Sequence, residues 1–225
     1  MAVLLLAAAL WLLVHIGFSG TALRGRFVHW LGERAFSGVF SALAAASLLL
    51  LIVAYNHAAT AALWVTPHWL VWLMDVGMLF ACILFVAAVT PANPTMTGGE
   101  RAPAREPRGI FRITRHPMLN AFGIWSAVHL IANGDSASLL FFGAFLLTVA
   151  FGMPSIDAKL ARRDPEKWAM LSRSTSALPF LAILTGRNRY DAKEIGWQVP
   201  LVGTVLWLVL IALHPLVIGV RVLPT

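Results

Sequence analysis

The sequence predicts an all-α, polytopic helical bundle in a membrane, with about six spanning helices. Three observations predict it. Of 225 residues, 59% are hydrophobic and only 12% are charged, about half the charge of a soluble domain. The apolar residues gather into runs that approach the roughly 20 residues a bilayer requires. The basic residues are confined to particular loops, the mark of membrane orientation.

The runs place the spans at Ala2–Gly17, Ser37–Tyr55, Leu70–Val89, Met118–Asn133, Ala137–Gly152 and Val199–Val220, the last interrupted by Pro215. The fourth and fifth hold about 16 residues each, short for a bilayer. Gly134-Asp135-Ser136 joins them into a tight antiparallel helical hairpin. Gly134 suits a left-handed helix end, and Asp135 or Ser136 the cap of the next helix. Thr90–Arg108, with four prolines and two glycines, reads as a loop. Ser155–Leu171 reads as an amphipathic stretch, with Asp164 as N-cap and Pro165 at the first helical position. The whole chain, 1–225, reads as one integral-membrane domain.

Sixteen of the seventeen basic residues fall in the loops after spans one, three and five; Arg221 is the exception. The positive-inside rule puts those loops in the cytoplasm and both termini on the outer, periplasmic side of a bacterial inner membrane. No Lys or Arg precedes the first span, so it reads as a retained anchor rather than a secretory leader. The net charge of +7 therefore reports orientation in the lipid bilayer, and no nucleic-acid partner is expected. Cys82, the single cysteine, makes no internal disulfide and no zinc framework.

Seven histidines stand out in so apolar a chain. An imidazole in hydrocarbon is costly unless it pairs, lines a cavity or binds a metal. Topology sorts six of them into two depths. His15 and His116 lie at the cytoplasmic level, and His57, His68, His129 and His214 at the outer level. His116 and His129 are 13 residues apart, about 20 Å along a helix, too far to share one iron. Bis-histidine ligation of a haem leaves the inner pair His15 and His116, or two of the outer set such as His129 and His214. Arg112, Arg115 and Arg24 surround the inner pair and would suit haem propionates. Asp75 is the one acidic residue well inside a span, on the face of His68.

Arg115-His116-Pro117-Met118, then Trp125 and His129-Leu130-Ile131-Ala132-Asn133-Gly134-Asp135, resemble the NnrU family. His15-Ile16-Gly17-Phe18-Ser19 with Arg24, Ser176–Phe180 with Gly186-Arg187, and His214–Val220 fit the same pattern. The resemblance covers nearly the whole chain. It implies an inner-membrane protein linked to denitrification and nitric oxide metabolism, related to the 15-cis-zeta-carotene isomerases. It further implies haem b held by His15 and His116, with redox or cis–trans isomerase chemistry on an apolar small-molecule substrate. No catalytic residue and no redox partner are singled out.

Arg115-His116-Pro117 with Glu166, Trp168 and Arg173 is more distantly similar to the isoprenylcysteine carboxyl methyltransferase superfamily. That likeness implies S-adenosylmethionine as the alternative cofactor, with Arg115 as its contact. Leu119 stands where the superfamily has an aromatic residue. A non-enzymatic accessory or transport protein is the remaining alternative.

Overall fold

The computed structural model describes residues 1–18, 20–21, 23–90 and 106–223. The segment 91–105, most of the loop expected at Thr90–Arg108, lies outside them. The described residues form helices and connecting turns, with no strand beyond one isolated bridge between Ala62 and Asp135. Four helices are long and apolar enough to cross a membrane: α3 (Glu33–Asn56), α4 (His68–Val89), α7 (Ser136–Arg163) and α11 (Gln198–Val217). A fifth span results if α1 (Ala2–Leu12), its continuation Leu13–Phe18 and α2 (Leu23–Leu31), bent by 75°, count as one. The chain is thus a multi-pass membrane protein by the length and composition of its helices.

The count differs from the six expected. The expected fourth span is α6, Pro117–Asn133, of 17 residues, about 25 Å long and short of a bilayer core. The fifth is not short: α7 has 28 residues and carries through Pro154 to Arg163. The apolar run ends near Gly152, but loss of hydropathy marks the membrane boundary, not the helix end. The last helix stops at Val217 rather than Val220. Pro215 brings no N–H to the final turn.

Contacts divide the chain into two compact units: Met1–Thr66 with His129–Ser155, and Pro67–Val128 with Ile156–Thr225. In the first unit α1 buries Leu4, Ala7, Trp11 and Val14, while α3 buries Phe36, Leu51 and Ala54. The Trp11 indole donates to Thr148 Oγ1 at 2.9 Å. At the far end of this unit the strap Thr60–Thr66 is laced to the α6–α7 turn. Leu63 N–H donates to Gly134 O at 2.8 Å, and Ser136 N–H to Ala61 O at 3.0 Å. Trp64 Nε1 donates to Ile131 O at 2.9 Å.

Gly134 has φ +62° in that turn, and a Cβ there would stand 2.4 Å from Trp64 O. Asp135 then caps α7 as expected, accepting from the Ala137 and Ser138 N–H groups at 2.9 Å each. Burial raises its pKa, but hydrogen bonds from Ser138, Thr60 and Ala137 outweigh it and hold the carboxyl below its ordinary range.

In the second unit α11 packs along α4. A Cβ on Gly203 would fall 2.7 Å from Ile83 Cα, so only glycine admits so close a backbone approach. Trp207 Nε1 donates to the buried Asp75 Oδ1 at 3.1 Å. Leu84, Ala87, Ile110, Phe111, Ile113, Ala121 and Val199 form the core beside these helices. Asp164 caps α8 (Pro165–Ser174), accepting from Lys167 N–H at 3.0 Å, as its sequence predicts.

Candidate functional site

The site in the second unit is built on the turn between the short α5 (Ile110–Ile113) and α6. Thr114 is extended, which breaks the helix and lets His116 and Pro117 start the next one. The Thr114 hydroxyl donates to Ala177 O at 2.9 Å and accepts from His116 N–H at 3.1 Å. Arg115 N–H donates to Ser176 O at 3.0 Å, and Phe180 N–H to Ile113 O at 2.9 Å. Asn120 spans the turn, donating to Thr114 Oγ1, His116 O and Ala177 O at 2.8–2.9 Å. The segment Ser176–Phe180 is thus a brace against the histidine turn. Phe180 takes a left-handed conformation, φ +63°, which turns the chain into α9 (Leu181–Leu184).

His116 lies at the centre with its side chain 0% exposed. Its Nε2 stands 2.8 Å from Asp157 Oδ1, near the end of α7. Its Nδ1 is buried and has no hydrogen-bond partner among the described residues. Arg115 grips the same carboxylate: Nε lies 3.0 Å from both oxygens and Nη2 2.5 Å from Oδ2. The guanidinium also lies 5.3 Å from the centre of the Trp168 ring. Asp157 is therefore the hub of the site, and the sequence reading missed it. Its signal was slight: one acid just past the apolar stretch of α7, three residues after Pro154.

Arg112 points to a different partner. Its Nε and Nη2 donate to Glu194 on α10 (Ala192–Ile195) at 2.7 and 2.9 Å, and Nη1 to Asn188 at 2.8 Å. The Arg112 hydrogen bonds, helped by the Gly109 N–H, hold the Glu194 carboxyl down to about 2. The same bonds raise the Arg112 pKa.

An apolar groove of about 290 Å³ opens in the same unit. Met78, Cys82 and Phe85 of α4, Phe122 and Trp125 of α6, and Leu206 of α11 line it. Ala121, also in its wall, is five residues past His116, about 7.5 Å along α6. A polar, hydrogen-bonded histidine and a hydrocarbon-lined recess thus lie along one short helix.

His15 belongs to the first unit and is described by itself. It sits in the π-helical turn Leu13–Phe18, a geometry that concentrates at functional sites. Its Nδ1 donates to Trp11 O at 3.0 Å and its ring stacks on the Trp11 indole at 3.7 Å. Its Nε2 takes no partner among the described residues. Arg24 pairs with Glu33. Of the histidines expected at the outer level, His129 stacks on Phe142 at 4.9 Å, and His214 Nδ1 donates to Val220 O at 2.8 Å.

Imidazoles such as His15 and His116 are a donor type that haem iron takes, and one ring nitrogen of each is engaged by the protein. A protein acceptor on one nitrogen is the pattern that orients metal-bound imidazoles, while the second nitrogen of His116 is enclosed by the fold. The arginines fit less directly, because Arg24, Arg112 and Arg115 each hold an acidic residue of the chain itself.

The family model described as NnrU protein matches residues 3–222. The 15-cis-zeta-carotene isomerase, chloroplastic, of Arabidopsis thaliana is 28% identical over 198 residues, 82% of this chain and 51% of the relative. The protein of that name from Zea mays is 33% identical over 111 residues, 48% of this chain and 30% of the relative. The chain thus spans about half the length, or less, of these curated relatives. No solved structure matches it.

Proposed function

Since this chain belongs to the NnrU protein family, we propose that it is a membrane-embedded isomerase acting on an elongated, apolar, cis-configured polyene, with haem b as cofactor. The observation that carries the reading is the hydrocarbon-lined groove along α4, α6 and α11, one short stretch of α6 from the buried His116. The names of its relatives support the same class of substrate.

His116 of the second unit would hold the haem iron, and His15 of the first is the other candidate for that role. When bound, haem supplies a redox-active iron whose electronics its axial ligands tune. The residues of the chain do the rest. Asp157 and Arg115 hold the His116 ring in one orientation. Met78, Phe85, Phe122 and Trp125 offer a π-electron-rich, water-excluding wall to a hydrocarbon chain. A cis-to-trans conversion moves no atoms between molecules, so the site needs no proton donor and no leaving-group pocket. The proposed setting is the inner membrane, with both termini outside and the His116 turn at the cytoplasmic side, on the distribution of the basic residues.

The test is conversion of 15-cis-zeta-carotene by the purified, haem-loaded protein under reducing conditions, followed by chromatography of the isomers. The expected result is formation of the 15-trans isomer, strongly reduced in Ala121→Trp, which places a large ring in the groove wall. No conversion by a haem-loaded wild type overturns the reading.

A further inference from the structure

The two nitrogens of His116 are in opposite situations. Nε2 faces Asp157 Oδ1 at 2.8 Å, while Nδ1 is buried without a partner among the described residues. Asp157 also receives Arg115 through Nε, at 3.0 Å to each oxygen, and through Nη2 at 2.5 Å. A carboxylate gripped side-on by a guanidinium is an acceptor. The hydrogen between it and the imidazole therefore belongs to His116 Nε2. A neutral ring with its hydrogen on Nε2 carries its lone pair on Nδ1. A hydrogen on Nδ1 would be a second buried donor with nothing to accept it, which is costly.

We infer that Asp157, anchored by Arg115, is a positioning residue that fixes His116 as the Nε2–H tautomer and places the lone pair of the ring on the enclosed Nδ1. Imidazole ligands are commonly oriented by a carboxylate on the nitrogen away from the metal. Here the carboxylate is on Nε2, so the lone pair lies on Nδ1, the atom nearer the backbone. The brace Thr114, Asn120 and Ala177 fixes that backbone. Replacing the carboxylate by an amide presents an N–H where an acceptor stood, and an imidazole answers by exchanging tautomers, as is seen when a triad aspartate becomes asparagine. The assignment deepens the cofactor reading and rests on it only for the role of the Nδ1 lone pair.

The experiment uses the full chain in detergent, free of haem and labelled with ¹⁵N in histidine, with the His116 signals identified by their loss in His116→Gln. The wild type is expected to show a protonated Nε2 and an unprotonated, pyridine-like Nδ1. Asp157→Asn is expected to exchange the two signals, and Asp157→Glu to restore the wild-type pattern. A wild type protonated at Nδ1 overturns the assignment, as does a folded Asp157→Asn protein whose His116 signals do not move. The wild-type spectrum alone decides the point if Asp157→Asn fails to fold. Because the tautomer is read without haem, a chain that never takes up haem overturns the cofactor reading and not this one.

Discussion

His116 Nε2 lies 2.8 Å from Asp157 Oδ1, and the second nitrogen of the same buried ring meets no partner among the described residues. Among the described residues, Asp157 is the only hydrogen-bond tie on that imidazole. Removing Arg115 leaves Asp157 bonded, among those residues, to the ring alone. Arg115→Met is therefore expected to lower stability by about 3 kcal/mol, the scale for breaking one side of a buried ion pair. Thermal unfolding in detergent measures it. A shift indistinguishable from that of an exposed substitution such as Arg189→Met contradicts the buried-hub description.

Gly134 is the second point where one atom decides. Its φ of +62° and the Trp64 carbonyl, 2.4 Å from an added Cβ, oppose any side chain. Gly134→Ala is expected to cost about 1–3 kcal/mol from the left-handed backbone alone, with the clash added. The strap Thr60–Thr66 should then become the first site of proteolysis. Unchanged unfolding temperature and unchanged cleavage contradict the close approach.

The Glu194–Arg112 tether supplies a pH signature. The folded carboxyl sits at about 2 against an ordinary 4.5, so the folded state favours the ionised form. Its contribution is fully present above pH 4.5 and is lost as pH falls from there toward 2. The difference in unfolding temperature between wild type and Glu194→Gln is expected to be largest near pH 6 and to close across that window. A difference that grows on acidification contradicts the tether.

Orientation is tested by fusion reporters. A reporter after Arg163 is expected on the cytoplasmic side and one after Ala59 on the outer side, because the basic loops mark the cytoplasm. The reverse pattern inverts the topology and takes His116 away from the cytoplasmic interface.

Much of this was legible from local chemistry. Hydropathy located α3, α4, α11 and the start of α7, Asp164 and Asp135 announced their caps, and Gly134 announced a left-handed turn. The end of α7 was not legible, because hydropathy falls at the membrane boundary while helical hydrogen bonding continues through Pro154 to Arg163. That error hid Asp157. An acid assigned to a solvated amphipathic stretch gives no sign that it faces a histidine 41 residues earlier. The assignment of Arg112 to a haem propionate has the same cause: sequence shows the charge of Arg112 but not that Glu194, 82 residues on, is brought to it.

The most direct measurement is the reduced-minus-oxidised absorption spectrum of the purified protein, expressed with ample haem, compared across wild type, His116→Ala and His57→Ala. The account predicts low-spin b-type bands in wild type and His57→Ala, and their loss or displacement in His116→Ala, because removing an axial ligand opens the iron. A colourless wild type, or bands that survive unchanged in His116→Ala, would contradict it.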